Sequence, residues 1–426
     1  MYFDLGAFLR YNFKAFFKSR GKHYRLTPRR ALVLLIWLLL YIPAQIINRL
    51  FFLLDEILFP GYRRQEVRRP VFIIGNPRSG TTFLHRLINE DGQRFTSFKV
   101  WEMIFAPSIT QRKMIWGLLS LARLVGAPIQ KMLQNLNKSI EKQTKAHTVR
   151  LDAAEEDDHI LIHAWSSETL WALYPIKEEM LPYFYFDRDI PLRQQERVMK
   201  FYRSMVKRHL FAHGGNLTLL SKNPAQTPKI ASLLRTFPDA RFINLARNPL
   251  KSVPSMMSFM AAGWHLLCDP LEQYPHQQEF FDVMGFFYRY PLEYFEDKPG
   301  ICLFLRYENM VQDPKAAIQS VYQFLDLPIS PEFEAIVDRE TEKAGRFRSE
   351  HQYSLEEMNL TEQQLLDAYA DIFSFYEFAE TQSELPEEGT FTRLKEWRIT
   401  KKRYRNLQKK QLRKARRLQR RKIRLE

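Results

Sequence analysis

Cysteine is nearly absent: Cys268 and Cys302 are the only two in 426 residues, and they lie far apart. That excludes a disulfide framework, so the fold has to be held by packing. There is no H-E-x-x-H pair. The nearest approach to a metal-ligating pattern is His159 and His163, four residues apart and without a third ligand. Their spacing predicts a shared helix face that forms a polar wall or a solvated surface, and no metal site is expected. Internal repeats and long low-complexity linkers are also missing, which excludes solenoid and tethered-module organisations. Long apolar runs are scarce too. Residues 31–42 (ALVLLIWLLLYI) are unbroken for twelve positions before Pro43, whereas a bilayer span takes roughly 20. Finally, net positive charge is almost missing from most of the chain. Residues 393–426 hold 17 Lys or Arg against two acidic residues, a net +15 of the +16 total, so the rest is nearly neutral.

What is present begins at residue 68 with RRPVFIIGNPRSGTTFLHRLI. Val71, Phe72, Ile73 and Ile74 read as a buried strand, and Phe83, Leu84, Leu87 and Ile88 recur at helical spacing. The glycine-bounded turn between them is a phosphate cradle, in which backbone N–H groups converge at the positive end of a helix. Gly75 and Gly80 have the separation of a nucleotide-binding loop, but Thr81 stands where that loop needs its lysine. The cation is instead Arg78, accompanied by the hydroxyls of Ser79, Thr81 and Thr82. This set suits a short 5'-terminal anion that needs no bridging magnesium.

A second phosphate element lies in ARFINLARNPLKSVPSMMSF, where a strand ends at Arg247 and Ser255 follows eight residues later. A guanidinium is a bidentate phosphate fork, and the hydroxyl adds a second contact. TLLSKNPAQTP delivers Lys222 to a strand end, and ICLFLRYENMVQDP reads as strand, turn, helix. Strand runs near 71, 95, 217, 241 and 301 alternate with helical stretches. The expected fold is therefore α/β, a P-loop-type three-layer sandwich with a central parallel sheet.

The PRSGTTF loop, the Arg247/Ser255 pair and the Y-E-x-M-x-x-D-P segment together resemble the sulfotransferases that use 3'-phosphoadenosine 5'-phosphosulfate (PAPS), in particular their Sulfotransfer type 3 branch. The resemblance runs from about residue 70 to 325. It implies that Arg78, Ser79, Gly80, Thr81 and Thr82 hold the 5'-phosphosulfate, and that Arg247 and Ser255 grip the 3'-phosphate. Phe83 and Tyr307 would sit at the adenine, and Lys222 would contact the bridging oxygen. The cytosolic branch places a catalytic histidine two residues after that lysine, where this chain has Pro224. Related branches place a glutamate after the second strand, which points to Glu102 as the base, with the run Glu155, Glu156, Asp157, Asp158 as rival. Burial near an anion is expected to raise the Glu102 pKa. Arg348, in RFRSEHQYSLEEM, stands where the family closes a loop over the donor. The implied reaction moves a sulfuryl group to a hydroxyl or amine of a small acceptor, with a lipid or a glycan as the candidate classes. A kinase-like P-loop protein and a non-catalytic membrane scaffold are the alternatives.

Three regions follow: a basic and apolar N-terminus (1–69), a catalytic domain (70–385) and a basic tail (386–426). In the first, Asn48, Arg49, Asp55 and Glu56 interrupt the apolar residues. An interfacial or re-entrant anchor fits best, since Arg20, Lys22, Arg25 and Arg29 precede the run and Trp37 and Tyr41 lie within it. A single span over 31–47 and a packed soluble hairpin are the other readings. The segment starts too late for a cleavable signal. The tail reads as a solvated basic helix or arm with no nucleic-acid readout element, so a membrane surface is the expected partner. The paucity of cysteine favours the cytoplasmic face over a secretory lumen.

Overall fold

The computed structural model describes residues 1–124, 151–344 and 355–379. Five parallel strands form one sheet in the order β2-β3-β1-β4-β5, with β1 Val71–Gly75, β2 Phe95–Thr96, β3 Thr218–Lys222, β4 Arg241–Ala246 and β5 Cys302–Arg306. Every strand expected from the sequence is present. Central parallel strands are covered on both faces, which is why β1 is buried at all five positions and reads as a continuous apolar run.

Side chains alternate along β1 and feed two cores. Phe72 and Ile74 point to the layer that holds Val198, Tyr202 and Met205, while Val71 and Ile73 meet Leu84, Leu87 and Ile318. The main helices that follow are α3 Thr81–Asn89, α4 Val100–Ile104, α5 Ile109–Leu124, α6 Leu192–Ala212, α7 Pro249–Leu267, α8 Gln277–Tyr294 and α9 Pro314–Leu325, with α7 and α8 packed in a third cluster around Trp171 and Trp264. Because all strands run the same way, the residues that follow β1, β3, β4 and β5 gather at one end of the sheet. The order reverses about β1, with β3 on one side and β4 on the other, and open α/β sheets bind ligands at such a crevice.

The N-terminal region is a pair of helices, α1 Leu5–Phe17 and α2 Pro28–Leu58. Asp4 and Thr27 cap them through Ala7 N (2.8 Å) and Arg30 N (3.2 Å). α2 runs unbroken through Pro43 for 31 residues. The basic tail expected over 386–426 lies outside the described residues.

Candidate functional site

The turn after β1 is built on glycine geometry. Gly75 has φ +133°, and a Cβ there would lie 2.1 Å from the Leu245 carbonyl oxygen of β4, so no side chain fits. Gly75 is further pinned by Thr227, whose Oγ1 accepts from Gly75 N (3.0 Å) and donates to its carbonyl (2.9 Å). Arg78 and Gly80 both take positive φ, 65° and 82°, which turns the chain into α3. Gly80 is the cap of α3 and no side chain satisfies the helix's first N–H groups. Ser79 is fully buried with its Oγ unpartnered. Uncapped amides beside an orphaned hydroxyl are the features of an anion seat.

The Arg247/Ser255 element meets this turn directly. Arg78 Nε donates to Ser255 Oγ at 3.0 Å, and Arg247 Nη1 donates to the Arg78 carbonyl at 3.2 Å. The Arg247 amide donates to Asn76 Oδ1 at 3.2 Å, and Tyr288 OH donates to the Arg247 carbonyl. Tyr307, just after β5, lies under the Arg247 guanidinium, 4.6 Å from its Cζ to the ring centre. The same ring leaves room for glycine only at position 80, where a Cβ would come within 2.6 Å of it. Four loops that are remote in sequence therefore share one crevice. Phe83 packs half-buried against the core layer that includes Leu84 and Met310. Thr81 is buried and Thr82 half-buried in the first turn of α3. Arg348 lies outside the described residues.

Lys222 ends β3 beside β1, in register with Ile73, and is 1 % exposed. Its Nζ reaches Glu156 at 3.2 Å and Glu155 at 3.5 Å, and Arg86 pairs with Glu155 at 3.2 Å. The acidic run then divides. Asp157 turns inward to Tyr202, Asn223 and Gln226, and burial raises its pKa. Asp158 meets Lys229 (3.1 Å), which also holds Glu168 (3.1 Å); burial pushes the Glu168 carboxyl up to about 8.

Glu102 departs from expectation. Burial alone would raise its pKa, but the Arg112 guanidinium, a hydrogen bond from His213 (2.8 Å) and nearby His209 (3.6 Å) together hold it well below the usual carboxylate range. Its other oxygen accepts from Lys99 N at 3.0 Å, closing a capping box on α4. The expected raised pKa is thus reversed, because the Arg112 guanidinium of α5 and the histidines of α6 outweigh desolvation. Glu102, His209 and His213 bring three ligand atoms within 4.8 Å of one another, a grouping the sequence reading missed because its members come from two helices. Both nitrogens of His209 are already engaged, by Thr96 (2.9 Å) and Arg112 (3.0 Å), so a guanidinium stands where a cation would bind. The His159/His163 face is also absent. The segment Asp157–Ala164 is a 3-10 helix, His163 Nε2 meets the Met103 carbonyl (2.7 Å) and its Nδ1 meets Gln45 (2.9 Å), and His159 meets the Glu156 carbonyl (2.6 Å).

Residues 70–331, more than half of the chain, match the model of the Sulfotransferase family. The chain belongs to the sulfotransferase family. Its sulfotransferase relatives include the omega-hydroxy-beta-dihydromenaquinone-9 sulfotransferases Stf3 of Mycobacterium bovis and Mycobacterium tuberculosis, each 23 % identical over 282 residues. That alignment covers 61 % of this chain and 63 % of the relatives' length. Among solved structures, sulfotransferase STF9 from Mycobacterium avium superposes with a TM-score of 0.65 at 20 % identity, covering 82 % of this chain and 85 % of that one. Sulfotransferase STF1 from Mycobacterium tuberculosis gives 0.64 at 18 % identity, with 86 % and 91 % covered. At these identities the superpositions speak to the fold, which they share.

Proposed function

We propose that this sulfotransferase takes PAPS as donor and sulfates a hydroxyl or amine of a small, lipophilic acceptor. The observation that carries the reading is the direct bridge between the two phosphate elements, Arg78 to Ser255 and Arg247 to the Arg78 carbonyl. The orphaned Ser79 hydroxyl and the uncapped start of α3 support an anion there. In this reading the residues from Arg78 to Thr82 hold the donor's 5' end and Arg247 and Ser255 its 3'-phosphate, with Tyr307 walling the crevice. The donor supplies a sulfuryl group bound to a good phosphate leaving group. Lys222 contributes positive charge where negative charge builds, worth about 10²–10³ in rate for a well-placed group. No metal step is invoked.

The base is assigned to the Glu155/Glu156 pair, because these carboxylates face Lys222 at the open end of the sheet. Glu102, ion-paired and sealed, is the rival. The lipophilic acceptor is supported by the terminal-hydroxyl substrate in the Stf3 relatives' name and by exposed apolar residues on α7 itself. Phe259 lies 5.7 Å from Arg78, and Leu266, two turns on, is exposed beside Arg29 at the start of α2. Action at a membrane, on its cytoplasmic side, fits this route.

Calorimetry with 3'-phosphoadenosine 5'-phosphate, alongside magnesium ATP, tests the donor. The adenosine bisphosphate is expected to bind and to stabilise by about 2.7 kcal/mol at 100 times its Kd. No binding, or preferential binding of magnesium ATP, overturns the assignment. Labelled donor incubated with a lipid extract then reads the acceptor class by mass spectrometry.

A further inference from the structure

α2 buries polar groups and exposes apolar ones. Beside the apolar Leu34 and Phe52, its inward side carries Arg30 and Asp55, both fully buried, and Asn48, 3 % exposed. Each is fastened to a different part of the protein. Arg30 Nη2 donates to the Leu173 carbonyl (3.0 Å), Tyr41 OH to Ile162 (2.7 Å) and Arg49 Nη2 to His163 (2.8 Å). Asn48 Oδ1 accepts from Gln111 of α5 (2.8 Å), and Asp55 pairs with Arg208 of α6 (2.9 Å). These fastenings run from residue 30 to 55, about 37 Å of helix at 1.5 Å per residue. Drawing α2 across a bilayer would strip all of them and leave the Arg208 charge buried and unpaired. Its outward side is apolar throughout, with Leu39 73 % and Ile57 74 % exposed. α1, which packs Phe8 against Tyr41, exposes Leu5, Leu9, Phe13 and Phe17; α5 exposes Met114, Leu118 and Leu121. Three neighbouring helices thus carry outward apolar stripes.

Beside α2 and α6 lies a cavity of about 500 Å³ whose lining includes Arg49, Phe52, Leu53, Arg197, Lys200 and Arg208. Arg208 is consumed by Asp55 and Glu56. Arg49 Nη1 is buried without a partner, and Arg197 and Lys200 make no ion pair among the described residues. Surplus cations therefore sit next to Leu53, which is 62 % exposed on the apolar side. Phosphate is the anion a guanidinium fork and an ammonium hold best, and an adjoining apolar surface suits acyl chains.

The geometry points to a monotopic membrane seat: α1, α2 and α5 lie in one leaflet of an anionic bilayer, with a phospholipid headgroup in the Arg49/Arg197/Lys200 cavity. This deepens the membrane part of the reading above and is independent of its chemistry. Flotation of the full chain at 0.3 M salt, which weakens binding by the basic tail, tests it with vesicles of phosphatidylcholine alone and of phosphatidylcholine with 30 % phosphatidylglycerol. R197E/K200E is expected to lose at least fivefold in binding to the anionic vesicles only. L39E/L50E is expected to lose binding to both, with an unchanged melting temperature. On bound protein a membrane-impermeant maleimide is expected to label both R20C and R64C, at the two ends of α2, above the wild-type background. Undiminished preference for phosphatidylglycerol in R197E/K200E removes the headgroup site. Normal flotation of L39E/L50E, or protection of one of the two cysteines, overturns the seat. A wild-type dimer that L39E/L50E disperses while flotation persists assigns the face to a second copy instead. Donor binding by calorimetry is unaffected in either case, so failure here is separate from failure of the donor assignment.

Discussion

Two carboxylate clusters lie close together and behave in opposite ways. Glu155 donates its backbone N–H to the Phe98 carbonyl, only four residues before Glu102, yet the two side chains end in different surroundings. Glu102 is sealed, 0 % exposed, between Arg112, His209 and His213; Glu156 keeps 39 % of its side chain exposed and faces Lys222. The first cluster has a guanidinium and two imidazoles fixed around a carboxylate that gives up its charge only with difficulty. The second has a buried cation whose carboxylate partners are open to exchange. Proton transfer during turnover belongs to a group that can be reached, and structural anchoring to one that cannot.

The comparison breaks most visibly at Lys222. Lys222→Ala is expected to cost about 10³ in kcat while binding of 3'-phosphoadenosine 5'-phosphate stays within a few fold; loss of nucleotide affinity alone would contradict a role in charge neutralisation. Next in size is Glu102→Gln, which leaves Arg112 buried beside a neutral group and should lower unfolding stability by about 3 kcal/mol. In denaturant titrations the midpoint should fall, while turnover of the folded protein stays within about threefold; a hundredfold loss of turnover would return the base to Glu102. Glu156→Gln should do the reverse, with stability nearly constant and kcat lowered about 10². Since Glu155 shares the lysine, the double variant is needed if either single change is mild. Arg247→Ala is expected to weaken nucleotide binding 10- to 100-fold by calorimetry. The last effect, on acid stability, accumulates with falling pH. Burial lowers the pKa of His85 to about 3, aided by Lys222, and that of His163 to about 4. Both folded values lie below the unfolded value near 6.5, so the unfolded chain binds more protons between them and stability falls as pH drops below about 6.5. Each contributes a loss of about 1.4 kcal/mol per pH unit down to its folded value, and a flat melting temperature from pH 7 to 5 would deny that they stay neutral.

Much of this architecture was legible because parallel strands covered on both faces are written as apolar runs, unbroken at Val71 to Ile74 and interrupted only by Asn244 between Phe242 and Ala246. The phosphate elements were legible because each is local: Gly75 to Thr82, and Arg247 to Ser255. Their meeting was an expectation from the family resemblance, and the geometry brings them within hydrogen-bonding distance. Glu102 misled for the opposite reason. Its position after β2 and in the first turn of α4 was visible, but Arg112, His209 and His213, which decide its charge, come from α5 and α6. The field at a buried group is a tertiary property. In α2, Tyr41, Gln45, Asn48, Phe52 and Asp55 follow one another at three- and four-residue steps, a single stripe. The signal was in plain view and read only as interruption of an apolar run.

That stripe has a practical consequence for handling the protein. Deleting the first 69 residues, the obvious route to a better-behaved protein, would take Asp55 from Arg208 and from the Ile109 and Thr110 amides it caps, and Asn48 from Gln111. The truncated chain would expose stranded charge and precipitate sooner than its parent. Repainting is the workable course: replacing outward leucines such as Leu32, Leu39 and Leu50 with glutamate or glutamine leaves every fastening in place and removes only the grease.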